Sequence, residues 1–304
     1  MISLRHHLIS LVAVFLALAV GVLLGAAGIS DRLLSAVAAD RDDLDQRLRQ
    51  LTAERNELVA AAHAADEFAR RVGPAALRET LTDRSVLLVT TADADPADRD
   101  AVNELLTHAG ARVTGEVALT EAVGDPARAD HLRELAAALL PAGARLPTAT
   151  DPGSVLGGLL GSVIVTAERP QPQQDGEAVL AGLTEAGFVK PAPAGLVLVL
   201  TGGALTGPDA PDAAAVVARM AAALDRAGGG VVLAGRTGSD SATGAVGVAR
   251  ADPTVARAVS TIDDVQHTTG RVAAVLALRE QITGGDAGRY GSGVDAVDGP
   301  SPTA

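Results

Sequence analysis

The chain lacks cysteine and tryptophan, and Phe15, Phe68, Phe188 and Tyr290 are its only aromatic residues. Without cysteine there are no disulfides, no thiol nucleophile and no thiolate metal site. That absence fits either side of a membrane. Methionine is limited to Met1 and Met220, so a soft-metal site built from Cys and Met has almost no ligands to draw on. Four aromatics cannot furnish the two girdles of a membrane β-barrel, and no series of ten-residue alternating strands is present. Lysine occurs once, at Lys190, and the net charge is −12. No basic patch emerges, so no nucleic-acid partner is expected. No loop reads G-x-G-x-x-G or G-x-x-x-x-G-K-[ST], and no G-x-S-x-G elbow occurs. No nucleophile–base pair or metal triad stands out. No cofactor is expected, and the chain does not read as an enzyme.

What is present begins at the N-terminus. Leu8 to Ile29 carries no charge. As a helix it covers a hydrocarbon core of about 30 Å, and it exceeds the about 7–15 apolar residues of a signal-peptide core. Residues 1–30 therefore read as a transmembrane anchor or uncleaved signal. Cleavage is the alternative, because Gly25-Ala26-Ala27 offers small residues to a signal peptidase. Arg5 precedes the segment, which places the N-terminus in the cytoplasm and residues 31–304 outside. His6 and His7 read as interfacial polar residues. Ala13, Ala17, Gly21 and Gly25 recur every fourth residue, forming a small-residue stripe that lets helix backbones approach.

Residues 31–73 read as a coiled-coil stalk. Val37, Leu44, Leu51, Leu58, Ala65 and Val72 recur every seventh residue, and Leu34, Arg41, Leu48, Arg55, Ala62 and Ala69 lie three before each. This is an a/d heptad pattern, with Arg41 and Arg55 at a-type positions, where they weaken the seam and bear on its register. Gly73-Pro74 reads as the stop. A single amphipathic helix folded onto the next domain is the alternative. The stripe and the seam together predict a homo-oligomer.

Residues 84–283 alternate strand and helix. Ser85–Thr90, Val113–Leu119, Leu196–Leu200, Val231–Ala234 and Thr261–Val265 read as strands. Helices are expected after the Thr91–Asp98 loop to Ala109 with Gly110 as stop, over Asp130–Leu140, Glu177–Ala186 with Gly187 as stop, Pro211–Ala227 and Thr268–Ile282; Val155–Val165 reads as either helix or strand, with helix the preferred reading. The pattern predicts a Rossmann-like three-layer α/β domain with a mostly parallel sheet. Ligands in such sheets bind at the carboxyl ends of strands. The candidate loops hold Asp93 and Asp95, then Gly202 and Gly203, then Arg236, Ser239 and Asp240. Asp93, Asp95, Asp98 and Asp100 could hold a hard cation; helix N-capping accounts for Asp95 and Asp98 as well. His63, His108, His131 and His267 read as isolated surface residues. Residues 284–304, rich in Gly, Asp, Ser and Pro, read as a disordered tail.

Several stretches resemble the actinobacterial copper transporter B family (MctB). They are Ile2-Ser-Leu-Arg-His-His with the apolar run through Gly25, Gly202-Gly-Ala-Leu-Thr-Gly207, Val259-Ser-Thr-Ile-Asp-Asp264, Gly270-Arg-Val-Ala-Ala-Val-Leu-Ala-Leu278 and Gly288-Arg-Tyr-Gly-Ser-Gly293. The resemblance covers nearly the whole chain. It implies a role in copper efflux, a copper ion as cargo and an outer-membrane location; its motifs carry no ligand residues to transfer. The architecture alone suggests a different class, a non-enzymatic envelope scaffold or regulator that docks an envelope protein such as a cell-wall hydrolase through its stalk.

Overall fold

The computed structural model describes residues 4–141, 144, 147–164, 173–186 and 195–302. The chain divides into two compact units, 1–63 and 64–304. The helix stop expected at Gly187 and the side chain of Val37 lie outside the described residues.

The described residues of the first unit are helical and belong to α1, Leu4–Ala76. Within it His6–Gly25 is long and apolar enough to cross a membrane. Its large side chains, from Leu8 at 65% exposed to Leu24 at 72%, are unburied on every side, the distribution of a helix made for an apolar solvent. The heptad leucines Leu44, Leu48, Leu51 and Leu58 are also exposed.

The second unit starts with the last turns of α1. Pro74 lies inside the helix, so Gly73-Pro74 does not stop it. Gly73 has a packing role instead. A Cβ there would meet Val272 Cγ2 at 2.7 Å, so only glycine lets this turn approach the helix that carries Val272. That helix spans Thr268–Thr283. Leu77 and Leu81 follow and are fully buried. The body therefore takes in residues that the heptad count assigns to the stalk.

The remaining elements are β1 Ser85–Thr90, α2 Pro96–His108, β2 Arg112–Ala118, α3 Ala129–Leu139, α4 Pro152–Ile164, α5 Gln173–Glu185, β3 Leu196–Thr201, α6 Ala210–Arg226, β4 Val231–Gly235, α7 Ala245–Ala251, α8 Pro253–Ala256, β5 Ser260–Ile262, α9 Thr268–Thr283 and β6 Arg289–Tyr290. Two 3-10 turns, Glu121–Val123 and Pro126–Arg128, separate β2 from α3. The six strands form one sheet in the order β2-β1-β3-β4-β5-β6, and every neighbouring pair is parallel.

Strand periodicity makes the three layers. Leu87 and Val89, Val197 and Val199, and Val231 and Leu233 enter one core with α3 to α8. Val86 and Leu88, Leu196, Leu198 and Leu200, and Val232 and Ala234 enter the other, with α2, α9, Leu77 and Leu81. Successive side chains of a strand point to opposite faces, so a strand covered on both faces must be apolar throughout. The ambiguous run after Pro152 is α4. Gly157 fits it against α6, since a Cβ there would lie 2.4 Å from the carbonyl oxygen of Met220.

The tail differs from its expectation of disorder. It supplies β6, which pairs with β5, and it is tied down by a buried ion pair. Arg250 Nη1 donates to Asp263 Oδ2 at 2.7 Å, Nε to Thr261 Oγ1 at 3.0 Å, and Nη2 to the Tyr290 carbonyl at 2.7 Å. Asp263 Oδ1 accepts from the amides of Ser292 and Gly293 at 2.8 and 3.1 Å. Gly291 has φ +132 and sits where a Cβ would be 2.2 Å from Asp263 Oδ1. Low hydrophobicity hides this segment from a composition count; its order comes from polar contacts with distant residues.

Candidate functional site

The strand order reverses between β1 and β3. The chain leaves β1 for β2 on one side, then crosses back to β3 on the other. In open α/β sheets this switch point opens a crevice beyond the carboxyl ends of the strands. A cleft of about 710 Å³ lies there, bounded by the loops after β1, β2 and β3 and by the start of α6. Its polar wall includes Thr91, Asp93, Glu121, Asp125, Arg128 and Asp209. Acidic groups dominate it, and the Arg128 guanidinium donates to the carbonyl of Ala186 at 2.9 Å. No His, Cys or Lys is among the described residues that line the cleft. Carboxylates and hydroxyls suit a hard, hydrated cation or an amine better than a soft metal.

The loops singled out in the sequence meet at this end of the sheet, where their polar atoms are largely committed to one another. Thr91 Oγ1 donates to Asp93 Oδ1 at 2.5 Å, and Asp93 Oδ2 accepts from the Gly202 amide at 3.1 Å. A Cβ on Gly202 would collide with Asp93, and one on Gly203 would approach the Thr237 carbonyl at 2.9 Å. These glycines allow loops to touch. Asp95 caps α2 by accepting from the Ala97 amide at 2.8 Å, and it pairs with Arg236.

Asp98 is not a cap. It is 4% exposed and takes Arg271 Nη2 at 2.8 Å and Arg236 Nε at 3.3 Å. Arg271 also donates to the carbonyls of Val265 and Gln266. This clamp draws the loops after β1, β4 and β5 together. Ser239 is fully buried beneath the β4 loop. Asp240 lies by the tail, its Oδ2 2.5 Å from where a Gly293 Cβ would be. Among the candidate residues, only Asp93 lines the cleft.

Glu121, Asp125, Arg128 and Asp209 escaped the sequence reading. The signal available was Asp125-Pro126, an N-cap before a proline in the connection that follows β2, where Asp125 Oδ1 accepts from the Ala127 amide at 2.9 Å. Among the described residues no group of three or more His, Cys, Asp or Glu is placed to hold a metal ion. The Ala13, Ala17, Gly21 and Gly25 stripe lies on the exposed first unit; a Cβ at Gly21 or Gly25 would meet nothing within 4 Å.

These features define a class: a doubly wound, all-parallel α/β body in a chain whose N-terminal helix can span a bilayer. Residues 1–299 match the family described as "Copper transport outer membrane protein, MctB". The copper transporter MctB of Mycobacterium tuberculosis (strain ATCC 25618 / H37Rv) is 41% identical over 311 residues, covering 98% of both chains. Its counterpart in Mycobacterium leprae is 39% identical over 312 residues, again covering 98% of both. The chain belongs to the MctB copper transport family.

Proposed function

We propose that this chain is a single-pass, membrane-anchored cell-envelope protein that contributes to copper efflux and homeostasis. The observation that carries the reading is the end-to-end likeness to the mycobacterial copper transporters, anchor region included. In this reading His6–Gly25 stays on the mature protein as an anchor, Arg5 keeps the N-terminus in the cytoplasm, and the body lies outside. In this reading the anchor sits in the cytoplasmic membrane, whereas the family description names the outer membrane.

Copper is cargo. The body offers oxygen ligands and no thiol, so its contribution to a Cu(I) path is indirect, through assembly and docking, or the path runs near His6 and His7. No catalytic step is assigned. Self-association through the Ala13, Ala17, Gly21 and Gly25 stripe and the Val37–Leu58 seam gives the assembly.

A second reading is an envelope scaffold or regulator, acting for instance on a cell-wall hydrolase through the stalk. The exposed Leu44, Leu48, Leu51 and Leu58 favour it. Cell-associated copper in a deletion strain grown in copper separates the two. The first reading expects copper to accumulate, and to fall again with the full chain but not with a chain lacking residues 1–25. Normal copper together with a cell-separation defect would replace it with the second.

A further inference from the structure

We infer that Arg41 and Arg55 fix the register in which residues 37–58 pair, in parallel, with a second copy of this chain. The inference rests on the self-association reading above and adds what that reading leaves open: which residues of the two copies lie opposite.

In the heptad frame the a positions are Arg41, Leu48 and Arg55, and the d positions are Leu44, Leu51 and Leu58. The leucines Leu44, Leu48, Leu51 and Leu58 are 59%, 61%, 61% and 71% exposed, an apolar row that water leaves unsatisfied. The arginines interrupt that row. Neighbouring charges find partners within the chain: Arg47 pairs with Asp43 at 2.9 Å, and Glu54 accepts from Gln50 at 2.9 Å. Arg41 and Arg55 have no carboxylate partner in their own chain among the described residues.

A second copy supplies one. In a parallel coiled coil, a residue at g flanks the next a residue of the partner strand, and charged e and g side chains set partner choice. The g residues before the two arginines are acidic, Asp40 and Glu54; the g residue before Leu48 is Arg47. In register, Arg41 therefore lies beside Asp40 of the second copy, and Arg55 beside Glu54. A slip of one heptad faces Arg41 with Leu48 and places it beside Arg47, while Arg55 faces Ala62 beside Ala61. Both arginines then lose their acid, and one gains a like charge. A slip of two heptads restores one acid but leaves little more than one heptad in contact. A polar residue at a single a position is a known device for specifying register at a cost in stability.

The absence of cysteine makes the test clean, because every disulfide reports an introduced pair. The full chain is prepared in phospholipid vesicles with Leu44→Cys, Leu51→Cys or, as an outward-facing control, Ala53→Cys, and oxidised mildly. Leu44→Cys should crosslink efficiently with itself, and Ala53→Cys should not. Mixed vesicles of tagged Leu44→Cys and Leu51→Cys should give at least ten-fold less of the 44–51 product than of the like pairs. Adding Arg41→Leu and Arg55→Leu should raise the mixed product to the level of the like pairs. Equal like and mixed products with the arginines present, or no change on their removal, would overturn the register assignment while self-association stands. No crosslinking at Leu44, or equal crosslinking at Ala53, would overturn pairing through the seam itself.

Discussion

Arg250 and Asp263 form the most deeply buried ion pair among the described residues, with side chains 3% and 2% exposed. Removing one partner of such a pair strands the other charge and costs about 3–5 kcal/mol. Asp263→Asn should therefore cause a loss of that order in denaturant unfolding of the full chain, with Tyr290 fluorescence reporting early release of the tail. Its neighbour Asp264 behaves in the opposite sense. Burial first, and the adjacent Asp263 second, push its carboxyl up to about 6, from about 3.9 in an unfolded chain. Folding then takes up a proton between about pH 4 and pH 6, so stability present at low pH is lost as pH rises through that window. Asp264→Asn should be near-neutral at pH 4 and stabilising at pH 7.5, which unfolding curves at the two pH values will read. Neither role was legible in the sequence: Asp263 and Asp264 directly follow the short strand β5, and their meaning depends on Arg250 and the tail, which only the fold brings near.

Among the elements, α4 and α6 show what a glycine can do at a close crossing. A Cβ on Gly157 would sit 2.4 Å from the Met220 carbonyl and 2.7 Å from the Ala223 methyl, so Gly157→Val forces the helices apart. Overpacking of this kind costs about 1–3 kcal/mol; a lowered midpoint in thermal unfolding should follow, with α-helix content retained below it. The sequence left the α4 run between helix and strand, and it did not show which face its glycines occupy. Long apolar strands and amphipathic helices were legible because each fills a full pattern window. The 7-residue α7, the 4-residue α8 and the 2-residue β6 were not; elements so short are held by their neighbours rather than by periodicity. At Gly73-Pro74 a stop signal and a packing requirement look alike in sequence. The contact with Val272, and the capping of the Thr268 amide by Asp66, decide for packing.

For the whole molecule, the layered α/β architecture was readable from strands apolar on both faces. The order β2-β1-β3-β4-β5-β6 was not, because order depends on which face each crossover takes. The acidic cleft at the switch point follows from that order, which is why Asp93 was found and Glu121, Asp125 and Asp209 were missed. With one methionine and no cysteine in the body, a tight Cu(I) site lacks soft ligands. A competition titration against a Cu(I) chelator should find no stoichiometric, high-affinity binding by the second unit, residues 64–304. Saturation at one ion per chain would show that dispersed histidines converge.

The central claim is the anchored topology, and cysteine labelling tests it most directly. Val294 is 98% exposed on the tail, and the native chain has no thiol to confuse the result. A membrane-impermeant maleimide applied to intact cells should label Val294→Cys, and should label Ser3→Cys only after permeabilisation. Labelling of Ser3→Cys in intact cells, with Val294→Cys protected, would contradict the account.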